Sequence, residues 1–274
     1  MPTEKQKRIS EFLGPFYSYT KSMHDIWEAY SFIQFYMDEI HDKLKTNDIA
    51  RYKYLSIRGG RTYKYKDHEL YGIIDHIKKK NNPFKSLSLV VSVNEDFLQK
   101  ITTQIYRHYP GRIRKDFVYN ETTEERSKLF KVILDSEDKE EIIDRLIEEK
   151  VRGIFYGNPL HFFTKDKGNL GFGDYFKSNH SDALDIYREL LATRNVIIHN
   201  NGKIDRKYLS EFPNSTYSVG NAIKLDGDFI RDSIYAARGL SLVAAGIVLN
   251  RIYKADHLAK KYQQLIDSFK KRYP

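Results

Sequence analysis

Apolar residues along this chain recur mostly at steps of three and four, so most of it reads as helix. Between residues 17 and 44, Ile26, Trp27, Tyr30, Ile33, Tyr36, Met37 and Ile40 fall on one face of a single helix. Trp27 and its aromatic neighbours are expected in the core rather than on a base-stacking platform. Residues 67–80 predict a short helix ending in a lysine run, which suits the negative end of a helix dipole. Asn81-Asn82-Pro83 should break it. Residues 87–109 place Leu87, Val90, Val91, Phe97, Leu98, Ile101, Ile105 and Tyr106 on one helical face, stopped by Pro110-Gly111. The β-branched run Val90-Val91-Ser92-Val93 leaves a strand open at its start. A polar helix is expected over 123–134 and another over 139–150, where Glu141 and Arg145 have the spacing of an i, i+4 ion pair. Ser181 suits the N-cap of a helix running toward Ile198, and Asn200-Asn201-Gly202 should end it in a left-handed turn. Residues 228–273 read as helical, in one or two segments, and almost wholly apolar from Leu240 to Leu249, the mark of a buried helix.

One stretch breaks this rhythm. In residues 51–66, Tyr52, Tyr54, Tyr63 and Tyr65 alternate with Arg51, Lys53, Lys64 and Lys66 on either side of Arg58-Gly59-Gly60-Arg61, with no acidic residue among them. Period two around Gly-Gly predicts a β-hairpin with tyrosines on one face and cations on the other. Such a hairpin could grip a phosphate backbone through Arg51, Lys53, Arg58, Arg61 and Lys64 and stack bases on its rings. It could equally be a solvated hairpin whose tyrosines pack on the first helix. The expected class is therefore mainly α: an N-terminal region, residues 1–82, of helix plus basic hairpin, followed by a helical domain over 83–274.

Composition narrows the chemistry. The 274 residues contain no cysteine, which excludes thiolate nucleophiles, disulfides and cysteine-ligated zinc, and leaves a cytoplasmic setting as the expectation. The first ten residues lack the apolar core of a secretory signal. The longest apolar stretch, residues 239–249, is short of the roughly 18 residues that span a membrane. A net charge of +9 makes a polyanion a reasonable partner. No HExxH, nucleophile elbow or P-loop is present, and no histidine pair has metal spacing, so neither a metal nor a cofactor is expected.

What stands out is the end of the helix that begins near Ser181. Asn195 and His199 lie one turn apart on the same face, and Arg194 is next to Asn195 with the reach to join them. Arg194 also falls in register with Leu184, Tyr187, Leu191 and Ile198, where a cation is costly unless paired or working. A histidine can move a proton to or from a ribose 2′-hydroxyl or a 5′-oxygen near neutral pH, and an arginine can neutralise the developing phosphorane charge. The alternative is an Arg194 paired with a buried carboxylate and a His199 that caps a helix C-terminus.

The words Arg194-Asn195-Val196-Ile197-Ile198-His199-Asn200-Asn201-Gly202 resemble the R-N-x-x-x-H motif of HEPN domains with its trailing H-N-x-G. Residues 89–98 followed by Tyr109-Pro110, residues 138–150, and Gly157-Asn158-Pro159 resemble a prokaryotic branch of that family found in phage-defence and toxin settings. The likeness spans about residues 85–260. It implies an antiparallel helical bundle and a metal-independent endoribonuclease that leaves a 2′,3′-cyclic phosphate. It also implies a homodimer whose second protomer completes the site, and a possible antitoxin or regulatory partner. Arg194 and His199 match the catalytic positions, Asn195 the polar companion, and Glu95 an acidic residue on an earlier helix facing the site. Asn200 adds a polar group where the helix opens and is expected to contact RNA. A HEPN-like module that binds nucleic acid or nucleotides without cutting is the alternative reading.

Overall fold

A computed structural model of the chain describes residues 2–46, 54–57, 61–113, 132, 135–255 and 259–273. It is mainly helical. Helices α1 (Glu4–Leu13) and α2 (Pro15–Lys45) lead to strands β1 (Tyr54–Ile57) and β2 (Arg61–Lys64), then to α3 (Asp67–His76) and α4 (Asn82–His108). Next come α5 (Lys139–Phe155), the short α6 (His161–Thr164) and α7 (Tyr175–Asn179), then α8 (Ser181–Asn200), α9 (Arg206–Glu211), α10 (Gly227–Arg251) and α11 (Lys260–Arg272). The polar helix expected over 123–134 lies almost wholly outside the described residues.

The chain packs as two compact units. The first comprises residues 1–21, 92–187 and 236–274, the second residues 22–91 and 188–235, and the chain passes between them within α2, α4, α8 and α10.

In the first unit, aromatic rings fill the core: Phe12, Phe16, Phe97, Phe162, Phe163 and Phe176 are buried, and Tyr19 stacks on Phe97 at 3.9 Å. Small residues let helices close up. A Cβ on Gly239 of α10 would stand 1.9 Å from the Phe269 ring of α11, so only glycine permits this approach. Residues Leu240, Leu242, Val243, Ala244, Ala245, Val248 and Leu249 are all buried, as their composition predicts. Helix α10 is long and apolar enough to cross a membrane by length and composition alone. However, 72% of its most apolar window is buried within the protein, as in the core helix of a water-soluble fold. Helix α5 starts where Asp138 accepts from the Glu141 amide at 2.8 Å, and the expected Glu141–Arg145 pair forms at 2.6 Å.

A polar hub sits in this apolar setting. Asn94, fully buried, accepts from Tyr19 Oη at 2.6 Å and from Ser241 Oγ at 2.7 Å, and its amide donates to Tyr187 Oη at 3.1 Å. Burial pushes both tyrosine hydroxyls well above the ordinary phenol range, so they remain neutral hydrogen-bonding groups.

The second unit is organised around an interruption. The expected break at Asn81-Asn82-Pro83 is instead a π turn, Ile77–Asn81, through which α3 runs into α4. Pro83 has no N–H, and its ring would collide with the carbonyl four residues back. Widening the turn relieves that clash without stopping the helix. Asn82 N–H then reaches Ile77 O rather than Lys78 O, and the freed Lys78 carbonyl accepts from Gln34 Nε2 at 2.9 Å. The Asn82 side chain donates to Tyr30 O at 3.0 Å, tying the bulge to α2. The β-branched residues at 90–93 are helical within α4, with Val90 and Val91 buried, so packing overrides their strand preference.

Strands β1 and β2 pair antiparallel with Tyr54 opposite Lys64 and Leu55 opposite Tyr63. In this register Tyr54 and Lys64, which the alternation assigns to opposite faces, are partner positions, so the expected segregation does not hold along the backbone register. Arg51, Lys53 and Arg58 lie outside the described residues.

The hub yields a test of stability. Asn94→Leu keeps the branched shape but takes the hydrogen-bond partner from Tyr187 and Ser241, while Tyr19 retains the Ala237 carbonyl at 3.3 Å. It is expected to cost about 2 kcal/mol or more, at roughly 1–3 kcal/mol per unsatisfied buried group. Urea denaturation followed by circular dichroism measures it, and a loss below about 1 kcal/mol would show that the hub is not a stabilising element.

Candidate functional site

Arg194, Asn195, His199 and Asn200 all stand in the part of α8 that belongs to the second unit. The helix starts at Ser181 itself, whose Oγ donates to Asp182 instead of capping the backbone. The apolar row along α8 is buried at Leu184, Tyr187 and Leu191, but Ile198 is 53% exposed. Arg194 therefore sits where the row leaves the core, not within it.

The surroundings of Arg194 bear on whether it is paired. Its Nε is buried without a hydrogen-bond partner, and its Nη1 donates to Asn195 Oδ1 at 3.3 Å. Among the described residues no carboxylate forms an ion pair with it. The nearest acid before it on α8, Glu189, is engaged elsewhere and accepts from Tyr208 Oη at 3.4 Å. Burial holds the Glu189 carboxyl above its usual range, with the Tyr208 hydrogen bond opposing that shift. Burial and the adjoining carboxylate push the Tyr208 hydroxyl up to about 12. The other nearby guanidinium, Arg188, lies over the Phe212 ring at 5.4 Å.

His199 is exposed, one turn beyond Asn195. Asn200 serves the local fold. Its amide donates to Asp205 Oδ2 at 2.6 Å, while Asp205 Oδ1 caps α9 through the Tyr208 amide at 2.7 Å. The polar opening of the helix predicts Asn200 as an RNA contact; the signal for its actual partner, an Asp five residues on that also precedes a short helix, is too weak to read without the fold.

The end of α8 is sharply fixed. Asn201 and Gly202 take φ values of 51° and 77°, and Gly202 N–H returns to Val196 O at 3.0 Å, closing the helix. Gly202 O accepts from Ile223 N at 2.8 Å, so the segment after α9 buttresses this end, and Lys203 bridges Ala222. Beneath it lie Ala192, Val196, Ile204, Tyr208 and Ile223 with Phe84 against them.

Glu95 belongs to the first unit. It is half-buried on α4, at the edge of a groove whose other walls include Gln99, Gln104, Arg152 and the exposed Tyr156. Lys64 is exposed at the end of β2, and of Arg61 only the backbone position is described. Among the described residues no three histidine or acidic side chains converge at one point.

Comparison with protein-family models, with curated proteins and with solved structures finds no match to this chain.

Two measurements check this geometry. A Cβ at Gly202 would stand 2.5 Å from the Phe84 ring in a left-handed backbone conformation. Gly202→Ala is therefore expected to cost at least about 2 kcal/mol, from strained φ plus overpacking, and an unchanged melting temperature would refute the tight closure. Glu189 offers a pH test. Its raised pKa means the folded state holds this proton more tightly than the unfolded chain. The associated stability is present below the unfolded pKa and is lost as pH rises through the folded one. Glu189→Gln does not titrate, so it should melt with the wild type near about pH 4 and above it near about pH 8. A pH-independent difference between the two proteins would show that Glu189 is not the titrating group.

Proposed function

We propose that the end of α8 is a phosphate-handling site and that the protein is a metal-independent endoribonuclease of HEPN type, acting as a homodimer. The observation that carries this reading is the state of Arg194, a half-buried guanidinium on the rim of an apolar row with a stranded Nε and no carboxylate partner among the described residues. An unpaired cation there is costly unless an anion arrives to meet it. A phosphodiester is the anion whose two oxygens match the planar fork of a guanidinium.

In the proposed reaction His199 takes the proton from a 2′-hydroxyl as that oxygen attacks phosphorus. The P–O5′ bond breaks, the 5′-oxygen leaves with a proton supplied by the second protomer's His199, and a 2′,3′-cyclic phosphate remains. Arg194 neutralises the charge that builds on the equatorial oxygens, and Asn195, holding its Nη1, keeps the fork oriented. The basic hairpin, with Lys64 at its exposed end, supplies non-specific attraction for the RNA backbone. Glu95 is assigned only an auxiliary acidic role.

One observation favours the second reading, a HEPN-like module that binds nucleic acid or nucleotides without cutting. Among the described residues His199 has no hydrogen-bond partner to fix its tautomer, as a general base normally has. The two readings separate cleanly in an assay of purified protein with RNA in excess EDTA. Cleavage should persist, His199→Ala should lose on the order of 10²-fold or more in rate while RNA binding survives, and Arg194→Lys should also be impaired. No cleavage, or cleavage that EDTA abolishes and His199→Ala leaves alone, assigns the site to binding.

A further inference from the structure

The face of α2 that the fold leaves in water is aromatic where a soluble helix is normally polar. Phe32 and Phe35 are 64% and 62% exposed and Tyr36 is 42% exposed, with Phe32 and Tyr36 ring centroids 4.4 Å apart. Taking about 200 Å² for each ring-bearing side chain, these three leave on the order of 350 Å² of aromatic surface in water. That is the size at which an exposed apolar patch marks an interaction surface.

We infer that this face of α2 is a homodimer interface in which two copies of the helix pack antiparallel. It goes beyond the ribonuclease reading, which calls for a second protomer and assigns it no interface. It rests first on self-complementarity, which a two-fold interface demands because each copy must carry both projection and recess. Phe32 projects from the centre of the exposed face. One turn toward the N-terminus, the exposed Ala29 leaves a shallow hollow lined by residues of this same helix, among them Asp25, Glu28 and Phe32. Residues 25, 28, 29 and 32 stand at i, i+3, i+4 and i+7, the four corners of a hole that receives a knob from a facing helix. Phe32 of one copy fits the hole around Ala29 of the other, and the two-fold axis then passes near residue 30.

Charge decides the orientation and excludes the main rival. In antiparallel register Asp25 falls opposite Tyr36, whose hydroxyl can donate to it, and Glu28, already paired with His24 at 3.0 Å, borders the positive edge of the incoming ring. A parallel pair would instead stack Asp25 on Asp25 and Glu28 on Glu28. The same carboxylates, with Asp38 and Glu39 further along, oppose a nucleic acid stacking its bases on these rings. A standard interface takes about 800 Å² from each partner, so the rings supply its apolar centre and the charged residues its rim.

The absence of cysteine from the chain makes the test clean. Sedimentation equilibrium of the full chain should show a monomer–dimer equilibrium. Phe32→Glu, at an exposed position that leaves the circular dichroism melt unchanged, should weaken it by at least about 30-fold. Ala29→Cys should cross-link to itself through a short bismaleimide, because its two copies are only about 4 Å apart along the axis. Glu39→Cys, about 26 Å apart by the same helical rise, should not. A protein that stays monomeric up to roughly 200 μM, a dimer indifferent to Phe32→Glu, or equal cross-linking at both positions would overturn the proposal. So would weaker RNA binding by Phe32→Glu at concentrations where the unaltered protein is itself monomeric, which would make the patch a nucleic-acid surface.

Discussion

A single buried amide holds together the helices on which the rest depends. Asn94 receives Tyr19 from α2 and Ser241 from α10 and donates to Tyr187 of α8, all within an otherwise aromatic core. These four helices are the ones that continue into the second unit. Apolar packing alone is tolerant of small rotations, because any methyl group can exchange one neighbour for another. An amide with three directional partners is not. Shifting any of the four helices by part of a turn would leave a hydroxyl or the amide itself unpaired in a place that water cannot reach, at a cost well above that of a hydrogen bond stretched in solvent. The hub therefore fixes the rotation of α2, α4, α8 and α10 about their axes within the first unit.

The second unit is built from irregularities that each answer a local steric problem. Pro83 cannot sit in a regular helix four residues after Lys79, so the helix widens by one residue, Gln34 donates to the Lys78 carbonyl that the widening frees, and the Asn82 side chain ties the turn to Tyr30 O of α2. Gly202 closes α8 against Phe84 with a backbone that a β-carbon would forbid. Both features converge on α4 close to its start: Pro83 shapes that start, and Phe84 is the ring on which Gly202 rests. The placement of the α8 terminus thus depends on a proline one residue before its contact, which links the π turn to the candidate site through covalent neighbours.

Much of this was legible in the amino-acid sequence, and the reasons for the rest are specific. The helices were readable because Leu87, Val90, Ile101 and Ile105, or Leu240 and Val243, repeat with the period of a buried face. The end of α8 was readable because Asn-Gly tolerates positive φ. The π turn was not, since a helix-breaking signal states only that regular bonding fails and not whether the chain turns away or bulges. Nor was the hub: Asn94 lies between Val93 and Glu95 with nothing local to distinguish a buried asparagine from a surface one, and its three partners come from distant parts of the chain. The α2 pattern misled in the opposite sense. Periodicity placed Tyr36 on the core stripe, yet it is part-exposed while Ile26 and Tyr30 are buried. Tyr36 lies at the edge of that stripe, and beyond it α2 packs again, where Leu44 is buried with Leu70 and Ile74 and Met37 and Ile40 lie against them.

The candidate site itself was legible as residues but not as chemistry. Arg194 and His199 can be picked from their spacing, whereas the question that matters, whether the guanidinium already has a carboxylate, depends on what the fold brings to it. Tyr208 engages Glu189, and Tyr208 is held there by the Asp205 cap, which in turn holds Asn200. Asp205 thus occupies the amide of Asn200 while its other oxygen caps the helix that carries Tyr208. At the rim the guanidinium donates from Nη1 to Asn195 while its Nε stays buried without a partner, so a neutral amide orients the fork and no carboxylate among the described residues offsets its charge.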